Sequence, residues 1–157
     1  MSTLQEAATE FLASDGIAIV GVSRDTRNAA NAIYRKLRDG GARVVPVNGR
    51  AQEVEGATCY PDLKSIPGGV QAVLVVVPPK AAVEVVRQCA DLGIRRVWIH
   101  GTFGRGSVSK DAVAYCREKK IRVIAGACPM MFQAPVDGWH RCMRTVCGWI
   151  GRLPRGD

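Results

Sequence analysis

The chain has 157 residues, a length typical of one domain with a single sizeable core. Its hydrophobic content of 47% and charged content of 23% are those of a globular protein and exclude wholesale disorder. The net charge of +8 favours a polyanionic partner, either a nucleic acid or a highly phosphorylated small molecule.

The sequence shows no pattern typical of a membrane span, an export signal or a redox-active cysteine pair. No apolar stretch approaches the ~20 residues needed to span a bilayer, and AVLVVV at 72–77 has the length of a buried strand. The first 14 residues carry two glutamates and no basic residue, so no export signal is expected and the predicted location is cytoplasmic, with no membrane partner. The six cysteines form no CxxC pair and are predicted to be reduced thiols.

The first predicted elements are a helix, a strand and a second helix. Residues 17–21, IAIVG, are apolar throughout, as expected of a strand covered on both faces. Residues 4–13 fit a short helix whose apolar face holds Leu4, Ala7, Ala8, Phe11 and Leu12. The next helix is predicted over 28–39, with a buried stripe of Ala29, Ala32, Ile33 and Leu37.

The alternation of helices and strands continues to the tail. Pro46 is expected at a position where no hydrogen bond of the sheet is lost. A helical turn is predicted over 60–66 and a glycine-rich loop, GTFGRGS, over 101–107. Further strands are predicted over 43–48, 72–78, 96–100 and 121–126, and further helices over 79–92 and 109–119.

This order predicts an α/β fold: a Rossmann-like doubly wound, mostly parallel five-stranded sheet flanked by helices. Residues 1–157 are expected to form a single domain, with an N-terminal helix within 1–14 and a C-terminal extension over 129–157. In such sheets ligands bind beyond the carboxyl ends of the strands, at the switch point. That rule points to residues 21–24, 48–50, 77–79 and 100–104.

The segment GVSR at 21–24 has the chemistry of a phosphate-binding turn. Gly21 can adopt a tight bend, and amides near a helix N-terminus can bind a phosphate. Ser23 adds a hydroxyl, and Arg24 adds a guanidinium that binds phosphate in bidentate fashion. The nicotinamide fingerprint has three glycines where this turn has one, so a plain strand-to-helix turn is an equal alternative.

The following strand ends indicate which nucleotide is favoured. Nicotinamide dinucleotide enzymes usually place an acid after the second strand for the ribose 2′-hydroxyl, but this chain has Asn48 and Arg50 there. An arginine favours a phosphorylated ribose, as in NADP or coenzyme A, although a solvated turn at 48–49 is the plain alternative. Pro78 and Pro79 form a rigid apolar lip suited to adenine, or an ordinary helix start.

The ordered series IVGVSR, VVPVN, YPDLKSIP, VLVVVPP, GIRRVWI and CPMMF…HR resembles the small stand-alone CoA-binding proteins. These are Rossmann-like domains similar to that of succinyl-CoA synthetase α chains, and the resemblance covers roughly residues 14–142. It implies that coenzyme A or an acyl-CoA is the ligand. The residues it implies as contacts are Gly21, Val22, Ser23, Arg24, Asn48, Arg50, Val77, Pro78, His100 and Gly101.

Two departures from the family pattern affect these contacts. The family commonly has PVNP where this chain has PVNG, so the loop before Arg50 is expected to be more mobile. It commonly has WLQPG where this chain has WIHGTFG, so His100 stands where a glutamine amide is typical. The resemblance places the synthetase's phosphorylated histidine in a second domain, so the function expected here is a non-catalytic carrier or sensor.

Three further groups carry side chains capable of catalysis or metal binding. No carboxylate near His100 in sequence would orient it, so a binding or structural role is favoured over catalysis. Cys128 would form a mixed disulfide with the CoA thiol only if its pKa were lowered, and a small buried hydrophobic role is favoured. The spacings of Cys128, Cys142, Cys147 and His140 match no standard zinc pattern, so no metal site is predicted.

The tail HRCMRTVCGWIGRLPRGD carries four arginines, with Trp149 and Ile150 at its apolar positions. It predicts an amphipathic helix packed on the domain or on a second subunit, so a homodimer is one option. RNA is not the expected partner because no recognition motif accompanies the arginines. Two alternatives to CoA binding stay open: an NADP- or acyl-CoA-dependent enzyme, and a basic regulator that binds a nucleic acid or a protein.

Overall fold

The computed structural model of the protein describes residues 3–102, 105–149, 151, 153 and 154. The strands in chain order are β1 (Ile17–Val20), β2 (Val44–Val47), β3 (Glu53–Val54), β4 (Ala57–Thr58), β5 (Ala72–Val75), β6 (Arg96–Ile99), β7 (Gly101–Thr102), β8 (Arg105–Gly106) and β9 (Arg122–Ala125). The helices are α1 (Leu4–Leu12), α2 (Ala29–Asp39), α3 (Pro79–Asp91), α4 (Lys110–Glu118) and α5 (Gly138–Trp149), with a 3₁₀ turn at Pro129–Met131.

Five parallel strands form the central sheet in the order β2-β1-β5-β6-β9. The chain runs from β1 to β2 at one edge and then returns to β5 on the other side of β1. The topological switch point therefore lies between β1 and β5. The predicted Rossmann-like, doubly wound fold is confirmed.

The edge position of β2 explains the proline in this strand. Pro46 pairs with Ile19 of β1, and on its outer side its carbonyl accepts a hydrogen bond from the amide of Tyr60 at 3.0 Å. Because an edge strand has a neighbouring strand along only one side, the missing N–H of Pro46 costs little, as the sequence predicts.

Two hydrophobic layers cover the two faces of the sheet. One contains Ile17, Ile19, Leu74, Trp98 and Ile124 with residues of α1, α2, α5 and the 3₁₀ turn. The other contains Ala18, Val73, Val75, Val97 and Val123 with residues of α3 and α4. This division follows from the two-residue repeat of side chains along each strand.

The buried face of α2 differs from the prediction. Asn28 caps the helix by accepting the amide hydrogen of Asn31. The predicted stripe was wrong for Ala29, which is exposed, and for Ala32, which is half-buried. The buried residues are Ala30, Asn31, Ile33, Tyr34 and Leu37. The sequence prediction omitted Asn31 because it counted only apolar side chains.

Three short segments also differ from the predictions. Residues 60–66 form turns instead of a helical turn, and there the Asp62 carboxylate accepts hydrogen bonds from the amide and the hydroxyl of Ser65. The antiparallel hairpin of β3 and β4 was not predicted. The 101–107 loop contains the paired strands β7 and β8, and residues 103–104 of that prediction lie outside the described residues. Two-residue strands are too short to show periodicity.

The C-terminal helix packs on the domain through Met143 and Cys147, as the sequence allows. Trp149 does not pack in the core: it is 85% exposed and lies at the edge of a cleft that α1 and Phe132 also line. Ile150 lies outside the described residues. Within the described ranges no helix is long and apolar enough to cross a membrane.

Candidate functional site

Two clefts lie at the carboxyl ends of the parallel strands, next to the switch point. The first cleft, at the ends of β1 and β2, has a volume of about 300 Å³ and is lined by Ser23, Arg24, Asp25, Asn48, Arg50 and Ala51. The second cleft, at the ends of β5 and β6, has about 340 Å³ and is lined by Ala29, Val76, Val77, Pro78, His100, Thr102, Gly106 and Ser107. Each is within the size range of small-molecule sites.

Gly21 joins the strand ends beneath these clefts. Its φ is +118°, and a Cβ built there would lie 2.0 Å from the carbonyl oxygen of Val76, which follows β5. Its amide donates to the carbonyl of Val47 in β2 at 3.1 Å. No other residue type fits this close backbone approach, so the bend expected at Gly21 has a geometric cause.

Ser23 is held by other residues of its own loop and of α2. Its amide donates to Asn31 Oδ1 at 2.9 Å. Its hydroxyl accepts from Asn28 Nδ2 at 2.7 Å and from the amide of Asp25 at 3.2 Å. The same hydroxyl donates to the carbonyl of Asp25 at 3.3 Å. The donors of Ser23 are thus used within the protein, where the sequence suggested free donors for a phosphate.

Asn48 connects the first turn to the end of β2. Its Nδ2 donates to the carbonyl of Val22 at 2.8 Å, and its Oδ1 accepts from the amide of Arg50 at 2.8 Å. Val22 is fully buried, and its carbonyl is the acceptor for Asn48, so neither its side chain nor this carbonyl is exposed in the cleft. Asn48 therefore fixes the position of the Arg50 backbone relative to the first turn.

The first cleft presents two exposed guanidinium groups. Arg24 and Arg50 both line it, and no ion pair involves either among the described residues. Asp25 lines the same cleft, but its carboxylate is paired with Arg27 at 3.1 Å. The cleft therefore offers two cations to an anionic ligand.

The second cleft is mostly apolar and contains a buried imidazole. His100 is 9% exposed, and burial lowers its pKa. Val77 and Pro78 line the same cleft, as the sequence predicted for the lip. Gly101 is buried, and its amide donates to the carbonyl of Ala127 at 3.2 Å, so this amide is not free for a ligand.

Two residues that sequence reasoning missed support the first turn. Asn31 is fully buried, and its Nδ2 donates to the Ser23 carbonyl at 2.8 Å and to Glu55 Oε1 at 2.6 Å. Glu55, at φ +52° in the β3–β4 hairpin, also accepts from Arg35 at 2.7 Å. The sequence feature that could have indicated Asn31 is its position three residues before Tyr34, which places a polar side chain on the buried face of α2.

The remaining candidates have structural environments. Cys128 is buried, and burial raises the pKa of its thiol to about 11, so the lowered pKa needed for a mixed disulfide is absent. His140 Nδ1 lies 2.6 Å from the Asp137 carboxylate at the start of α5. Across the described part of the chain, no group of three or more His, Cys, Asp or Glu residues is arranged to hold a metal ion.

Comparison with known proteins identifies relatives of this domain. A family model described as "CoA binding domain" matches residues 15–134. The α subunit of ADP-forming acetate–CoA ligase II from Pyrococcus furiosus is 31% identical over 126 residues, which cover 75% of this chain and 27% of the relative. The chain thus spans about a quarter of that protein's length.

Solved structures share the fold. A hypothetical protein from Pyrococcus horikoshii OT3 matches with a TM-score of 0.77 and 28% identity, covering 87% of this chain and 96% of that one. The dinucleotide-forming acetyl-coenzyme A synthetase 1 of Ca. Korarchaeum cryptofilum, in its apo form, matches with a TM-score of 0.61 and 26% identity. That match covers 70% of this chain and 25% of the synthetase chain.

Proposed function

The chain belongs to the family of CoA-binding domains, and on that premise we propose that it binds coenzyme A or an acyl-CoA as a carrier or sensor without catalysis of its own. The ligand occupies the carboxyl edge of the sheet, where the two clefts adjoin the switch point.

The observation that carries the proposal is the pair of exposed arginines that line one cleft. Arg24 follows the bend at Gly21, and Arg50 follows Asn48, whose side chain ties both loops together. Coenzyme A carries a diphosphate and a ribose phosphate, and two separate guanidinium groups suit two separate phosphate groups. We assign the diphosphate to Arg24 and the ribose phosphate to Arg50.

The second cleft supplies an apolar surface for the rest of the ligand. Val76, Val77 and Pro78 form one wall, which suits a flat adenine or another apolar part of the molecule. His100 lies in this cleft, and as a neutral imidazole it offers one hydrogen-bond donor and one acceptor.

The surroundings of His100 and Cys128, the two side chains with catalytic potential, favour ligand binding over catalysis. Burial alone accounts for the lowered pKa of His100, with no carboxylate contributing among the described residues. A general base in such a site usually has a partner that orients it. The raised pKa of Cys128 likewise keeps that side chain as a neutral thiol.

Calorimetric titration with CoA, supported by thermal unfolding, tests the proposal. We expect CoA binding that raises the melting temperature, and we expect Arg24→Ala and Arg50→Ala each to weaken binding about tenfold, the loss of one charge-assisted contact. Arg87→Ala removes an exposed arginine from α3, away from both clefts, and should leave the affinity unchanged.

Three outcomes would contradict the proposal. The first is the absence of heat or thermal shift at roughly millimolar CoA, which is the weak limit of specific binding. The second is equal loss of affinity in the Arg87→Ala control, which would indicate unspecific attraction to a basic protein. The third is tighter binding of NADPH than of CoA, which would favour the oxidoreductase alternative.

A further inference from the structure

One exposed side of α5, next to its buried face, carries a row of apolar side chains. We call Trp139, Cys142, Val146 and Trp149 the α5 stripe. Trp139 is 70% exposed, Val146 39% and Trp149 85%. Cys142 is exposed, unlike the other five cysteines. Met143 and Cys147 already pack on the domain, and they lie on the neighbouring side of the helix, roughly 100° around its axis from the stripe.

The spacing of the α5 stripe is that of a helix-pairing seam. Its members are separated by three, four and three residues, as in the a and d positions of a heptad repeat. This spacing reads the same in both directions along the helix. In an antiparallel pair related by a two-fold axis, Trp139 would meet the partner's Trp149, and Cys142 would meet the partner's Val146.

We propose that the α5 stripe binds the α5 stripe of a second copy of this chain, forming a two-fold homodimer with antiparallel α5 helices. The spacing of the stripe points to a second copy of this chain, because the row matches itself when one helix is turned end to end. An unrelated partner would not require this property. The stripe holds no Lys, Arg, Asp or Glu, so pairing two stripes buries none of their charges.

The available area predicts a weak dimer. An aromatic side chain buries about 150–250 Å². At the observed exposures, the four tryptophans of a dimer would contribute roughly 600 Å², about half of the ~1,200 Å² at the lower limit of specific interfaces. Val146 and the neighbouring helix surface add to this. We therefore expect an equilibrium between monomer and dimer. The stripe shares no residue with either cleft lining.

Disulfide trapping tests the antiparallel register. In a Val146→Cys variant, the introduced thiol faces the partner's Cys142, so mild oxidation should give dimers linked by two symmetric disulfides. The unaltered protein and an Arg141→Cys variant, whose new thiol lies off the stripe, should cross-link at most one-tenth as much. Efficient cross-linking of the unaltered protein through Cys142 alone, or none in Val146→Cys, would overturn the proposal.

Sedimentation equilibrium tests the association without cross-linking. We expect the average mass of the unaltered protein to rise towards twice the monomer mass with concentration, and Trp149→Glu to weaken association at least tenfold. Leu92→Glu, which alters an exposed apolar residue outside α5, should leave it unchanged. A monomer at roughly millimolar concentration would overturn the proposal. Binding of that monomer to anionic phosphatidylglycerol vesicles would instead assign the stripe to a lipid surface.

Discussion

The side-chain amide of Asn31 holds the backbone of Ser23 with two opposed hydrogen bonds. Oδ1 accepts from the Ser23 amide at 2.9 Å, and Nδ2 donates to the Ser23 carbonyl at 2.8 Å. Asn31 is fully buried and also reaches Glu55 in the β3–β4 hairpin. The turn proposed to meet a phosphate is therefore fixed from the inside of the domain.

Removal of the Asn31 amide should destabilise the protein and loosen this turn. We expect Asn31→Ala to lower the free energy of unfolding by about 2–3 kcal/mol, because the Ser23 amide and the Glu55 carboxylate lose a buried partner. Urea denaturation measures the loss, and CoA affinity should fall as well. Asn31→Leu restores volume without hydrogen bonds, so a stable Asn31→Leu protein would contradict this explanation.

Substitution of Gly21 should be costly because of both its backbone angle and its neighbour. We expect Gly21→Ala to lower the free energy of unfolding by about 3 kcal/mol or more, since its Cβ would meet the Val76 carbonyl. Gly41→Ala is the matched control, since Gly41 also has a positive φ but no atom within 4 Å of its Cβ position. It should lose only about 1 kcal/mol. Equal losses in urea denaturation would show that the close approach contributes nothing.

The assignment of Arg50 to the ribose phosphate predicts a change of ligand selectivity. The unaltered protein should bind CoA about tenfold more tightly than 3′-dephospho-CoA, the value of one charge-assisted contact. Arg50→Ala should bind the two ligands equally, whereas Arg24→Ala should keep the tenfold preference at a lower overall affinity. Calorimetry with both ligands measures this. A preserved preference in Arg50→Ala would reject the assignment.

Burial of His100 predicts a dependence of stability on pH. Its pKa is lowered in the folded state, so below pH 6.5, its ordinary value, the unfolded chain binds the proton more readily than the folded protein. Stability should therefore fall as the pH drops below 6.5, until the lowered pKa is passed. Urea denaturation at several pH values should show a smaller fall in His100→Gln than in the unaltered protein. Arg87→Ala, which removes an exposed group that does not titrate near neutral pH, is the control and should retain the full dependence.

Thiol exposure predicts one fast-reacting cysteine. In dilute native protein, Cys142 should react rapidly with a disulfide reagent, while the five buried cysteines react only after unfolding. Cys142→Ser should abolish the fast phase, whereas Cys128→Ser should leave it unchanged. Absorbance stopped-flow measures the rates. A fast phase lost in Cys128→Ser would indicate that this thiol is accessible after all.

Much of the fold could be predicted because burial leaves a clear pattern in the sequence. The strand AVLV at 72–75 is covered on both faces, so all four of its residues are apolar. The approximate position of the clefts followed from topology, since parallel strands present their carboxyl ends at one edge. The predicted contacts Arg24, Arg50, Pro78 and His100 all line one of the two clefts there.

The supporting contacts could not be predicted because they join distant parts of the chain. Asn31 and Glu55 are 24 residues apart, and the β3–β4 hairpin that carries Glu55 has strands too short to show a period. The free donors expected on Ser23 are used internally for the same reason, since only folding brings Asn31 beside them. In this structure Ser23 holds the turn, and its hydroxyl would have to release the Asp25 carbonyl to donate to a phosphate.

The sequence by itself determined the alternation of helices and strands, the parallel sheet and the edge at which a ligand would bind, because hydrophobic periodicity and chain connectivity are local properties. Only the tertiary structure decided which polar groups at that edge remain free and which are used internally. It also decided which side of α5 packs on the domain: Met143 faces inward, whereas Trp149 is exposed. A helical pattern marks apolar positions, but the direction each one faces depends on the surface that the rest of the chain presents.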